Sequence, residues 1–354
     1  MATKSSVVVL VEKPSIARAL APVLAKKWPN ESIYLVVLFT YGGPFVFKYP
    51  RGLTWNQYPF IGEPQWKRVE SASIRIGQVT QGDLQPVECN IEALLQDANR
   101  IVFACDQDHT GAVAFHTFIR EVLGADASQH VYPALRLWHL RPDDIAAAVD
   151  AHETTVADWY QSSLLYGCAK RYFDYNFHVN SLAIFGKLLR KLGVNCELRN
   201  AAPGYGFYVT KFNLQALFYF REQGSTSEGS LLQAFDLWQG TGKYTAQRQQ
   251  YRNPSLGSAM SRCAILTQLK EVGLLAEEAM PWQRRDGSWG ARSYLRLSSL
   301  GDEFLSHVHP DCLDADIPFR LDQWCMQGLS ASKPSMDRYL RTFFGKQKRF
   351  ADRI

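Results

Sequence analysis

Asp106 and Asp108 stand two residues apart, after an apolar tetrad (IVFA at 101–104) and before apolar residues at helical spacing: Val113, Phe115, Phe118, Ile119, Val122 and Leu123. The tetrad has the β-branched and aromatic content of a buried strand. Both carboxylates therefore fall just past the carboxyl end of a strand that feeds a helix, the edge where sites gather in open α/β sheets. Side chains at i and i+2 of an extended segment point the same way, so the pair can share one cation. An all-oxygen donor set suits Mg²⁺, which needs only a carboxylate or two and keeps its waters. The structural alternative is that one Asp caps the helix and the other is a solvated turn residue.

The second end of the site comes from residues 6–24, SVVVLVEKPSIARALAPVL. A Val-rich strand leads into Glu12-Lys13-Pro14-Ser15 and then into an amphipathic helix carrying Ile16, Ala19, Leu20, Val23 and Leu24. Pro14 sits where a helix start tolerates it. Glu12 thus also lies at the carboxyl end of a strand, and in a parallel sheet it faces the Asp pair with Lys13 beside it. A carboxylate, an ammonium and a D-x-D pair form a set suited to phosphoryl transfer: metal on the phosphate, Lys13 on developing charge, Glu12 handling a proton.

At these residues the chain resembles the type IA DNA topoisomerases. VEKPSIARALAPVL and IVFACDQDHTGAVAFH are similar to the two halves of their toprim domain, whose second half follows the pattern D-x-D-x-E-G-E with a downstream His. Glu12, Lys13, Pro14, Ser15, Asp106, Asp108, Gly111 and His116 match; Thr110 and Ala112 replace acids, and His109 stands where Arg is usual. The resemblance implies catalytic roles for Glu12, Lys13, Asp106 and Asp108. It also implies a Mg²⁺ held by Glu12, Asp106 and Asp108, weakened by Thr110 in place of an acid.

The chain has 354 residues, 46% of them hydrophobic, enough for a large core and two or three domains. A net charge of +5 suits a nucleic-acid partner without requiring one. Seven scattered cysteines without a C-x-x-C argue for a reducing compartment and against zinc. No signal peptide and no membrane-spanning run is legible, so a cytoplasmic protein is expected.

In chain order, residues 34–39 read as a strand, followed by a Tyr41-Gly42-Gly43 turn that resembles the family's Gly-His-Leu turn. Residues 51–70 form an aromatic, proline-rich loop, and 91–99 a short helix. Pro142-Asp143-Asp144 starts another helix, and 157–192 is a long helical stretch. Within it Phe177–Ser181 falls where the family has a G-R-V-Q segment that grips single-stranded DNA, which implies DNA-binding roles for His178 and Asn180; a helix start capped by Asn180 or Ser181 is the alternative. Lys187 and Arg190 form either a phosphate-facing or a merely solvated basic face.

Residues 203–222 alternate well enough for two strands. In the family an arch carrying the nucleophilic Tyr begins here, and this chain has no room for it. Residues 244–345 resemble the segment after the arch, with Arg252 and Ser255 as DNA contacts and, within it, a winged-helix-like unit made of Leu256–Leu275 and a hairpin at 281–299. A Tyr339-Leu340-Arg341-Thr342 string matches the family's Y-x-R-T motif in the wrong place, and the spacing of Leu340, Phe343 and Phe344 assigns Tyr339 to packing.

The expected architecture is a toprim-like α/β domain (1–134), a helical domain resembling the single-strand-binding domain (135–200), a vestigial β region (201–242) and a winged-helix-like part (243–354). The expected function is binding of single-stranded or junction DNA within a DNA-processing complex, without complete strand passage. The alternatives are a Mg²⁺-dependent nuclease or nickase, and a transesterase using a non-standard or partner-supplied Tyr.

Overall fold

A computed structural model describes residues 5–38, 45–68, 75–198, 206–227, 259–314 and 316–352. The chain divides into two compact units, one comprising residues 1–49, 64–172 and 325–331, the other 50–63, 173–324 and 332–354.

The first unit is built on a mixed seven-stranded sheet. Its elements are β1 (Ser6–Val11), α1 (Pro14–Lys27), β2 (Ser32–Val37), β3 (Phe45–Phe47), β4 (Trp66–Arg68), β5 (Arg75–Thr80), β6 (Asp83–Pro86), α2 (Ile91–Gln96), β7 (Arg100–Phe103), α3 (His109–Leu123), β8 (Pro133–Ala134), α4 (Pro142–Ala151), β9 (Glu153–Thr154) and the first part of α5 (Asp158–Lys191). The strand order is β6-β5-β2-β1-β7-β8-β9, while β3 and β4 make a separate small ribbon. Strands β2, β1, β7 and β8 run parallel; at the edges β5 pairs antiparallel with β2, β6 antiparallel with β5, and β9 antiparallel with β8.

Alternation explains the near-continuous apolar runs of the central strands. Val8, Leu10, Ile101 and Phe103 pack on one face with Phe115, Phe118 and Ile119 of α3 and Ile91 and Leu95 of α2. Val7, Val9, Val11, Leu35 and Val102 pack on the other face with Ile16, Leu20 and Leu24 of α1 and Ile145 and Val149 of α4. Strands buried on both faces need apolar side chains at every position. The strand–turn–helix expected at 6–24 and the helix starting at Pro142 are as the sequence predicts.

The second unit is mainly helical. After the rest of α5 come α6 (Lys211–Gln223), β10 (Thr226–Ser227), α7 (Ala259–Glu271), β11 (Leu275–Gln283), β12 (Trp289–Leu297), α8 (Ser299–Ser306) and, apart from residues 325–331 of the first unit, α9 (Ile317–Gln327) and α10 (Leu329–Ala351). Its core is aromatic: Phe177 meets Phe344 edge-on at 5.0 Å and Phe343 at 5.5 Å, and Phe185 packs on Phe304, Phe343 and Phe344.

Two expectations give way here. The two strands expected over 203–222 do not form: among the described residues 206–210 are irregular and 211–223 are helical. Thr210 and Asn213 form a reciprocal cap, each side chain bonding the other's backbone region, and that local signal outweighs the aromatic content that suggested β structure. No helix starts at Phe177–Ser181 either. Those residues lie inside the uninterrupted α5, whose Ser181 hydroxyl donates to the Val209 carbonyl instead of capping.

Candidate active site at the carboxyl edge of the sheet

Strand β1 pairs with β2 on one side and β7 on the other, so the chain's progression across the sheet reverses between β1 and β7. That reversal is a topological switch point, where the helices following the two strands leave a crevice outside the carboxyl ends. The parallel register sets Leu10 opposite Phe103, and the Ala104 N–H continues the ladder to the Leu10 carbonyl at 2.9 Å. Glu12 and Lys13 leave one strand end there, and Asp106 and Asp108 leave the other.

Glu12 is only 3% exposed, and its Oε2 has no hydrogen-bond partner. Burial, then the nearby Asp106 and Asp108 carboxylates, push its carboxyl up to about 7; Lys13 and a backbone bond from Asp106 oppose the rise. Lys13 reaches across to pair with Asp106 Oδ2, and that hydrogen bond is the main cause holding its ammonium above the ordinary lysine range. Asp108 caps α3: its Oδ1 accepts from the Thr110 N–H at 2.8 Å and the Gly111 N–H at 2.9 Å. The capping alternative thus describes Asp108, whereas Asp106 is ion-paired and not merely solvated.

Several residues fix this geometry. A Cβ at Gly111 would lie 2.1 Å from the Asp106 carbonyl oxygen, so the first turn of α3 closes against the acid loop only with glycine there. Gly167 of α5 plays the matching part outside, since a Cβ there would lie 2.7 Å from the His109 carbonyl and 2.2 Å from Val113. Gln107 is held by Arg136, whose Nε donates to its Oε1 at 3.2 Å, and by the Ser163 hydroxyl at 3.4 Å from its carbonyl. Arg136, Ser163 and Gly167 carried no sequence signal, because their part depends on how the segment after β8 and one face of α5 meet the loop.

His116 belongs elsewhere. It lies about 12 Å along α3 from Asp108 by helix rise. There it lines a cavity of about 110 Å³ with Tyr132 and Tyr160, and burial lowers its pKa. On the α1 side a cleft of about 410 Å³, also unforeseen, is lined by Pro14, Ala17, Arg18, Leu35, Val37 and Arg75.

Whether these residues fit the Mg²⁺ that the family resemblance implies turns on their free oxygen atoms. The orphaned buried Glu12 Oε2 is a fitting donor. Asp106 is engaged by Lys13 and Asp108 by the helix cap, and among the described residues no three acids, histidines or cysteines gather as a chelating group. The set suits an ion held by one or two carboxylates and water, not a three-carboxylate cage.

The proposed DNA-binding residues of the second unit have other engagements. Asn180 is fully buried, with its Oδ1 accepting from the Phe60 N–H and its Nδ2 donating to the Phe60 and Asn176 carbonyls, each at 2.7 Å. Asn176 grips Gly62 in the same two-way manner at 2.8 and 2.9 Å. Asn180 therefore anchors the 60–62 segment and has no amide group left for a nucleic acid. The Lys187 ammonium lies 4.1 Å over the Trp55 ring and 3.5 Å from Asp352. The His178 ring meets Tyr208 edge-on at 4.5 Å. Arg190 is exposed. Arg252, Ser255 and the Tyr41-Gly42-Gly43 turn lie outside the described residues.

Tyr339 packs against Phe173, Trp324 and Phe343, its hydroxyl is buried without a partner, and burial pushes its phenol well above the ordinary tyrosine range. All seven cysteines are free thiols. Among the described residues no helix is long and apolar enough to cross a membrane. No protein-family model and no curated protein matches this chain.

Proposed function

We propose that the protein binds single-stranded or partly single-stranded DNA and presents a backbone phosphate to the Glu12–Lys13–Asp106–Asp108 centre, as a component of a DNA-processing complex and without complete strand passage. The observation that carries this reading is the meeting of those four residues at the switch point of the sheet. The resemblance to type IA topoisomerases, including their toprim and winged-helix parts, supplies DNA as the source of the phosphate. Against strand passage, the one tyrosine in a Y-x-R-T string is a core residue, and a buried phenol with a raised pKa is a poor nucleophile.

Glu12 and Asp106, with Asp108 beside them, would hold Mg²⁺, which supplies Lewis-acid polarisation of a phosphoryl oxygen when bound. Lys13, which pairs with Asp106, would place its ammonium on the phosphate. Glu12, titrating near neutral pH, is poised to take or give a proton. These properties favour the nuclease or nickase as the second reading.

The test is a gel assay with end-labelled single-stranded DNA and Mg²⁺ or Mn²⁺, comparing the intact chain with Asp106→Ala and stopping reactions in detergent. A shifted, uncut strand is the expected result. Cut strands lost in the variant would establish the nuclease instead, and a protein-linked strand would establish transesterification. Absence of any binding at low salt would overturn the proposal.

A further inference from the structure

The hairpin of β11 and β12 carries more exposed aromatic and cationic surface than its own fold uses. Leu275, Leu295 and Leu297 anchor its base in the core, while Met280, Trp282 and Trp289 towards the tip are 41%, 43% and 70% exposed. The turn is a three-residue connection, Arg285-Asp286-Gly287, closed by the Arg284 N–H donating to the Ser288 carbonyl and the Gly287 N–H donating to the Arg284 carbonyl, with Gly287 at φ +83°. Asp286 is spent inside it, accepting from the Ser288 N–H and hydroxyl.

The register sorts the remaining side chains by face. Met280 pairs with Arg292 and Trp282 with Gly290, so these positions share the face opposite the anchoring leucines. The Arg292 guanidinium lies 5.0 Å over the Trp282 ring. A Cβ at Gly290 would point to that same face, and its place is taken by the Arg284 guanidinium, 3.2 Å away. One face thus aligns Arg284, Trp282 and Arg292, while Trp289, paired with Gln283, stands near the tip on the opposite face.

Apart from Asp286 in the turn, the acids of the hairpin lie towards the base, and they are paired there: Glu277 with Lys270 and Ser293, Glu278 with Arg296. Among the described residues Arg284, Arg285 and Arg292 have no carboxylate partner. The surface is complementary to a polyanion that also carries flat apolar groups.

We propose that this hairpin is a single-stranded nucleic-acid contact, with bases stacking on Trp282 and Trp289 and phosphates meeting Arg284, Arg285 and Arg292. Single strands expose the base faces that such rings require, whereas a duplex keeps its bases stacked on one another. The inference rests on the DNA-binding reading above and adds a site apart from the acid centre.

The test is fluorescence anisotropy of a labelled oligothymidylate with the full chain, with Trp282→Ala/Trp289→Ala and with Arg284→Ala/Arg292→Ala, over a series of salt concentrations. All four positions are surface residues, so circular dichroism should show unchanged folding. Loss of the two rings should weaken binding about tenfold or more, and an abasic oligomer should abolish that difference. Loss of the two arginines should reduce the slope of log affinity against log salt by roughly 1.4. Variants that bind like wild type would overturn the hairpin site while leaving the DNA-binding reading intact. A wild-type chain that fails to bind at low salt would overturn both.

Discussion

The strand ends of the first unit and the helix surface of the second held equally plausible functional residues, yet they use them in opposite ways. Glu12, Lys13, Asp106 and Asp108 are brought together, and the result is electrostatically unfinished: a buried carboxylate oxygen without a partner beside two more acids. Asn180 and Lys187 are also brought to neighbours, but their interactions are complete, with one amide fully hydrogen-bonded and one ammonium seated on Trp55 beside Asp352. A polar group whose capacity is used up stabilises the fold; one left with unused capacity in a buried place has a reason to meet a ligand.

Substitutions can break this contrast at either end. The largest effect is expected from Asn180→Ala, which strands the backbone groups of Phe60 and should cost about 3 kcal/mol of stability by chemical denaturation. Gly111→Ala should come next, at about 2–3 kcal/mol, because its Cβ meets backbone and not a movable side chain; it should also disturb the acid centre.

Glu12→Gln should have the opposite sign. A carboxyl whose folded pKa of about 7 exceeds its unfolded value of 4.5 makes the native state bind more protons between those values, so wild-type stability falls as pH rises from about 4.5 to about 7. The glutamine variant should lack that slope and exceed wild type above pH 7 by roughly 1–3 kcal/mol. A Glu12→Gln protein that is less stable at pH 8 would mean that Glu12 is a satisfied core group. Lys187→Ala should change stability by under about 1 kcal/mol, since the pair is half exposed.

What the sequence made legible follows the same division. A strand's end and a helix's first turn fix where Glu12 and Asp106 emerge, because backbone geometry alone determines it. The i, i+2 spacing also pointed at Asp106 and Asp108, though it left open that Asp108 would be taken by the helix cap. For Asn180 and Lys187, position along a helix says nothing about what lies opposite, and both partners, Phe60 and Trp55, come from a segment some 120 or more residues away in sequence. The helix at 211–223 was missed for a related reason: it is buried on nearly all sides, so its apolar residues show no clean stripe, and the deciding signal was the short Thr210–Asn213 cap.

The central claim, that Glu12 is an electrostatically unfinished carboxylate at the acid centre, is tested most directly by following its carboxyl carbon by NMR across pH, with and without Mg²⁺. The account predicts a midpoint near 7 in the absence of metal and a clear fall when Mg²⁺ is added. An ordinary midpoint near 4.5 that Mg²⁺ does not move would contradict it.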